Sequence, residues 1–416
     1  MTSPLGRLVR FLTHPPGDEP LPLLDDLPPA EILAAARAAG LAPLLCSRLA
    51  GLQGSLPAPL RSLADGAKMD YLAATVNAER SYAELGRVLE HLEASGISTI
   101  VLKGPHLAEQ VYRDRAVRKL ADFDLLVRAE AMPAVPETMA GLGYAPLRPL
   151  HFEAERRFNC DMPFLAPQAK PVEIHWALEI PSSPFTIDHE MLWERSRPAV
   201  IGGARTRVLA IEDLVLHLVI HAAFHHRFAT GPQPLIDLAG ILDTAGPDRD
   251  VLDERAMSWG AERALHLMAA VLGRCTGRRF PPAHTASPAP VELPDGMVDL
   301  AVERLLDVEP PDQTVTFHLA HVVDGSGSGS RLRTLLGVLF PPPAFLAARY
   351  GLPPGSPRVL LRYPVRIAGL CRRHAGTLLR HLLGGKETRR RVLREEKLNR
   401  MAGFLSGSGK YPYHHI

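Results

Sequence analysis

Leu120-Ala121-Asp122-Phe123-Asp124-Leu125-Leu126-Val127 places two acids two residues apart and then runs into an apolar tail. Successive side chains of a strand point to opposite faces, so Asp122 and Asp124 share one face and Phe123 and Leu125 the other. A second segment, Pro171–Leu178, repeats the arrangement, with Glu173 and His175 sharing a face in Val172-Glu173-Ile174-His175-Trp176. Three carboxylates on two such strands can meet around a cation. Upstream, Ile97–Leu102 carries β-branched residues and no charge, which predicts a buried strand. It ends in Lys103-Gly104-Pro105. A glycine turn opening a helix at Pro105–Tyr112 presents backbone N–H groups where a phosphate can be held.

Outward from this stretch, the pattern alternates. Ala30–Ala39, Pro43–Leu52 and Ala58–Ala67 read as short helices. Tyr82, Leu85, Leu89 and Leu92 form one helical stripe that ends at Gly96, a C-cap residue. After the Asp pair, Ala131–Leu142 predicts a helix closed by Gly143, and His151–Leu165 an irregular hairpin arm. From Ile211 the periodicity is helical, through Pro234–Leu242, Trp259–Cys275 and Gly296–Leu306, with the Pro-rich Gly277–Pro294 as an internal boundary. Asp324–Arg331 is Gly/Ser-rich and reads as a linker. Pro357–Leu383 and Glu387–Met401 read as basic helices, and the residues after Gly403 as unstructured. Strands alternating with helices indicate an α+β class, a small mixed β-sheet embedded in a mostly α-helical chain. The expected division is 1–96 helical, 97–185 α+β core, 186–285 helical and packing on the core, and 286–416 helical with a basic tail.

The 416 residues, 46% hydrophobic and 22% charged, suit a globular protein of several domains. Net charge is +2, but residues 331–416 hold 17 Lys or Arg against 3 Glu and no Asp. That tail is +14 and the first 330 residues are −12. It is either a solvated face matched to the acidic body or a surface for nucleic acid, membrane or an acidic protein. Four dispersed cysteines give neither a zinc pattern nor a disulfide framework. No segment reads as a signal peptide or membrane span, so the expected location is cytoplasmic.

An Asp-x-Asp pair by itself does not make a site, because Asp248-Arg-Asp250 and Asp188-His-Glu190 occur here without an apolar frame. The frame of Asp122 and Asp124 differs in carrying charge into a sheet, where it is costly unless compensated. A metal site and a surface strand edge both satisfy that pattern, and Glu173 favours the metal, since Mg²⁺ takes oxygen ligands. Lys103 either addresses a phosphate or ends a strand at the surface. Arg118 either faces a triphosphate or pairs with an acid. His217, His221 and His225 line one helical face without a His-Glu-x-x-His pattern, so core or interface roles are favoured over a metal. His175 is a partner of the carboxylates or a general base.

Leu102-Lys103-Gly104, Arg118 to Val127, Glu173-Ile-His175-Trp176, and the helix ending at His221 with Leu235-Ile-Asp237-Leu after it resemble the uncharacterised nucleotidyltransferase family of the DNA polymerase β-like superfamily. The resemblance spans roughly residues 30–245. It implies Mg²⁺, with Mn²⁺ as alternative, held by Asp122, Asp124 and Glu173. It also implies that an NTP, ATP foremost, is bound through Lys103, Gly104 and Arg118, with His175, His221 and Asp237 as accessory positions. Transfer of an NMP to a small molecule, peptide or protein follows, in a bacterial natural-product setting. The alternative is an inactive relative acting as an adaptor through its basic helices. Gly104-Pro105 stands where the superfamily has Gly-Ser, and Ala121 where it has Gly.

Overall fold

The computed structural model describes residues 3–15, 23–24, 26–52, 56–244, 246–284, 291–307, 339–353, 355–370, 372 and 386–407. The linker read at Asp324–Arg331, residues 285–290 of the Pro-rich stretch Gly277–Pro294, much of 371–385 and the end of the tail from residue 408 lie outside the described residues. The chain divides into two compact units. The first comprises Met1–Ala145, Asp161–Leu178 and Ile187–Val308, and the second Pro146–Cys160, Glu179–Thr186 and Glu309–Ile416.

The first unit is built on the expected α+β plan. Its sheet strands are β1 (Thr99–Val101), β2 (Phe123–Val127), β3 (Ala145–Pro146), β4 (Asp161–Leu165), β5 (Val172–His175), β6 (Arg197–Ile201) and β7 (Ala204–Val208). They form one mixed sheet in the order β3-β4-β5-β2-β1-β7-β6. All five residues of β2 are buried, as a central strand covered on both faces requires. β2 runs antiparallel to β1 and parallel to β5.

The helices in chain order are α1 (Pro4–Leu12), α2 (Pro29–Ala38), α3 (Ala42–Ala50), α4 (Ala58–Ala94), α5 (Lys103–His106), α6 (Val135–Ala140), α7 (Phe152–Glu155), α8 (His189–Arg195), α9 (Ile211–Ile220), α10 (Gln233–Thr244), α11 (Arg249–Trp259), α12 (Glu262–Thr276) and α13 (Met297–Leu306). The stripe Tyr82, Leu85, Leu89 and Leu92 is fully covered, and Gly96 follows with φ 76°, the left-handed conformation that glycine tolerates. Ala58–Ala67 is no separate helix but the first part of the 37-residue α4, because neither proline nor glycine interrupts residues 68–81. The helix expected at Ala131–Leu142 is shorter. A 3₁₀ turn at Ala129–Ala131 precedes α6, and Pro133 and Pro136 between them each remove a backbone donor. The helix expected at Trp259–Cys275 is α12, which starts three residues later because Gly260 at φ 70° follows Trp259, the last residue of α11.

In the second unit, Phe345, Leu346, Ala347 and Val359 form a small core with Phe158, Tyr350, Leu352 and Tyr363 packed against it. Phe158 meets Phe345 edge-on at 5.6 Å. Here Pro357–Leu361 is a 3₁₀ turn, and a helix spans Lys386–Leu405. No described helix is long and apolar enough to cross a membrane.

Candidate active site

Strand register brings the acidic residues together. The pairing Phe123↔Val172, Asp124↔Glu173, Leu125↔Ile174, Leu126↔His175 sets Asp124 beside Glu173 on adjacent parallel strands. Asp122 lies two residues before Asp124, just ahead of β2, and half-buried. The amide of Leu102 donates to the carbonyl of Asp124 at 3.0 Å, and so delivers the next residue, Lys103, to the same carboxylate. Lys103 Nζ is 3.0 Å from Asp124 Oδ1. His175 Nε2 is 3.1 Å from the same oxygen and 3.8 Å from Glu173 Oε2. The ligand atoms of Asp124, Glu173 and His175 all lie within 4.8 Å of one another.

The charges here are only partly balanced. Burial would raise the Asp124 carboxyl, but the Lys103 ammonium and the His175 hydrogen bond hold it well below the usual carboxylate range. His175 is pushed the other way. Burial disfavours its cation, yet Asp124 keeps its pKa above the ordinary value. Glu173 has His175 only at 3.8 Å, and burial together with the negative charge of Asp124 outweighs it and pushes the carboxyl up to about 7. Asp122 is raised for the same two reasons. Carboxylates crowded in this way, with no cation matched to two of them, are the donor set a hard divalent ion requires.

Beside this cluster lies a second acid with its charge fully answered. Arg118 grips Asp237 with two donors, Nε to Oδ1 at 3.0 Å and Nη2 to Oδ2 at 2.9 Å. Tyr112 donates its hydroxyl to Asp237 at 2.7 Å, and Gln233 its amide at 2.9 Å. The Arg118 and Asp237 side chains are 12% and 2% exposed. Burial and the Asp237 charge hold the Tyr112 phenol well above its usual pKa, so it stays a donor. Of the two readings of Arg118, the structure has it paired with an acid. Gly104 belongs to the same packing. A Cβ at that position would lie 2.7 Å from Arg118 Nη1 and 2.7 Å from Leu120 Cδ2, so only glycine lets the turn approach this closely.

The helical residues reach the cluster through Lys103. His221 Nε2 is 3.1 Å from Lys103 Nζ, and His226 Nε2 is 3.2 Å from His221 Nε2. His217 Nε2 is buried without a hydrogen-bond partner among the described residues. Burial first and the Lys103 charge second hold His217 and His221 well below the ordinary histidine pKa. His226 is exposed to solvent on its outer side, but partial desolvation by its neighbours and then the His225 charge lower it to about 4. The structure therefore brings Lys103, Asp122, Asp124, Glu173, His175 and His221 into one neighbourhood. Gly104, Arg118 and Asp237 form the adjoining lock.

Two neighbours escaped the sequence reading. Asp161 on β4 pairs in register with His175 and adds to the negative field on Glu173, and its strand lay within a segment with no clean alternation. His226 took the place at His221 that helical spacing assigns to His225.

The profile of the uncharacterised nucleotidyltransferase family matches residues 25–277, more than half of the chain. The chain belongs to that family. As a member of this nucleotidyltransferase family it is a transferase, and its role is nucleotidyl transfer. The matched span contains β2, β5, α5, α9, α10 and the π-helical turns Leu107–Tyr112 and His221–His225, which carry residues of the cluster and the lock. No curated protein matches the chain in sequence.

Proposed function

We propose that this nucleotidyltransferase moves an NMP group from an Mg²⁺-bound NTP, ATP foremost, to the hydroxyl, amine or phosphate of an acceptor. The observation that carries the reading is the strand register. It sets Asp124 beside Glu173 on adjacent strands, and Asp122, just ahead of the pairing, is near enough for its charge to act on Glu173, so the three carboxylates crowd one another. In this reading these three hold the metal, with Mn²⁺ able to replace Mg²⁺, and residues 97–185 form the catalytic core. The helices of 186–285 supply the histidine wall.

A divalent ion there would steady the phosphate charge and activate the attacking oxygen. Lys103 gives its ammonium to the triphosphate, releasing Asp124. Glu173 completes the site and takes the proton from the acceptor as a carboxylate placed at the reacting group. The acceptor oxygen or nitrogen then bonds to the α-phosphorus, the bond to the bridging oxygen breaks, and pyrophosphate leaves. His175 holds Asp124 in place throughout. Arg118 orders the turn at Gly104 through its lock on Asp237. The acceptor in this reading is a small molecule, peptide or protein of a bacterial natural-product pathway, a setting supported by the family resemblance, and the reaction takes place in the cytoplasm.

The test is to incubate the full chain with each labelled NTP and Mg²⁺ in native-host lysate and to compare Asp122→Asn/Asp124→Asn. A labelled acceptor with wild type and none with the double variant is expected. Equal labelling by both proteins would refute the assignment. Nucleotide binding without turnover by wild type would favour the adaptor reading, exercised through the basic C-terminal helices.

A further inference from the structure

Two π-helical turns are found among the described residues, Leu107–Tyr112 and His221–His225. Both border the site: the first follows Lys103 and ends on Tyr112, and the second begins at His221. Such turns are rare and collect at functional positions. Backbone strain collects here as well. Among the described residues, the non-glycine residues with positive φ are Lys103 (41°), Arg113 (57°), Gln168 (61°), Arg227 (46°) and Phe228 (60°). Four of these five lie within four residues of one of the two turns, and conformations this unfavourable persist where the surroundings demand them.

The second turn decides which histidine meets His221. In a continuing α-helix the i+4 residue, His225, would lie beneath it. Here the amide of His226 donates to the His221 carbonyl at 3.1 Å, an i+5 bond. Consequently the His221–His226 ring centroids are 4.4 Å apart, against 6.1 Å for His221–His225. Three nitrogens then run in a chain, Lys103 Nζ to His221 Nε2 at 3.1 Å and on to His226 Nε2 at 3.2 Å. The inner end touches Asp124 and the outer end, His226, is exposed. Among the charges that act most on His217, His221 and His226, Asp124 is the single acid, the rest being Lys103 and other histidines.

We infer that Lys103, His221 and His226 form a cradle for the terminal phosphates of the nucleotide, the part that departs as pyrophosphate. The inference rests on the nucleotidyl-transfer reading and extends it to a residue, His226, outside the carboxylate cluster. An ammonium and two neutral imidazoles supply N–H donors to phosphate oxygens once the Nε2 proton of His221 is the one retained. A cation is disfavoured at this spot, because the Lys103 ammonium already lies against His221. The chain starts at the carboxylate that faces the metal and ends at solvent, so a triphosphate can lie along it with its tail outward.

The cradle is tested by calorimetric titration of the full chain with inorganic tripolyphosphate and, separately, with AMP. His226→Ala should weaken tripolyphosphate binding about tenfold, the loss of one good hydrogen bond to a charged group. His226→Gln, whose amide reaches the place of Nε2, should recover most of it. His225→Ala should bind as wild type does, and AMP affinity should be the same in all four proteins. Unchanged tripolyphosphate binding in His226→Ala, or an equal loss in His225→Ala, overturns the inference. The enzymatic reading fails separately: a wild-type chain with the full pattern of tripolyphosphate binding and no turnover of any NTP keeps the cradle and loses the catalysis.

Discussion

Asp237 and Asp124 are both almost fully buried, both face a cation from the stretch 103–118, and they do opposite things. Asp237 is answered by Arg118, Tyr112 and Gln233 with four hydrogen bonds of 3.0 Å or less, and no second acid is among its partners. Asp124 is answered by Lys103 and His175 but has Glu173 and Asp122 crowded against it. A buried charge whose every oxygen is paired holds structure in place. A buried carboxylate with two half-buried ones crowded against it, short of cations, suits the chemistry proposed above, because the missing charge would arrive with the ligand. The two acids separate the scaffold of the site from its working part, and substitutions on either side should separate stability from activity.

The largest effect belongs to the satisfied side. Asp237→Ala leaves the Arg118 guanidinium buried without its carboxylate, and removing one partner of such a pair costs about 3–5 kcal/mol. The expected outcome in urea unfolding is a midpoint far below wild type, with activity lost only as far as the fold is lost. A variant with wild-type stability would end the distinction between lock and working site. Gly104→Ala comes next. Its Cβ has to displace Arg118 Nη1 or Leu120 Cδ2, both 2.7 Å away, and Arg118 is pinned by Asp237. Overpacking of this kind costs about 1–3 kcal/mol. In the Asp237→Ala background Arg118 is free to yield, so the two losses should be less than additive in a double-mutant cycle.

How far these two acids were legible in the sequence follows from how each is built. The strands around Asp122, Asp124 and Glu173 showed themselves because alternation fixes a face, and the α+β class followed from their spacing. The partner of Asp237 did not show itself, since the i,i+4 pair with Gln233 is local but Arg118 and Tyr112 lie more than a hundred residues away. Arg118 was accordingly left between triphosphate and acid. His226 was hidden for a different reason. A pattern of 3.6 residues per turn assigns His217, His221 and His225 to one stripe, and only the wider π turn moves the contact to the next residue. No residue type announces that turn in advance. Asp161 was missed because Pro163 interrupts the alternation of its strand.

Tyr112→Phe probes the lock more gently. It deletes one donor to Asp237 and leaves Arg118 and Gln233 in place, so a loss of about 1.5 kcal/mol is expected in the same urea experiment, typical of a hydrogen bond to a charged group. Activity per folded molecule should be unchanged.

The smallest change in stability, and one of opposite sign, is expected from Glu173→Gln. Burial and the Asp124 charge raise this carboxyl from its model-compound value of 4.5 to about 7. The folded state therefore binds its proton more tightly than the unfolded state does. Stability drawn from that proton is complete below about pH 4.5 and drains away as pH rises to about 7. In metal-free buffer at pH 8 the wild-type chain carries an ionised Glu173 against Asp124, and the amide of the variant does not. Glu173→Gln should then melt at the same temperature as wild type or higher at pH 8, lose the advantage at pH 4, and show no nucleotidyl transfer. Addition of Mg²⁺ should raise the melting temperature of wild type more than that of the variant, since the ion replaces the charge that the substitution removes. A Glu173→Gln chain less stable than wild type at pH 8 without metal would place Glu173 with Asp237, as a residue whose charge the fold already satisfies.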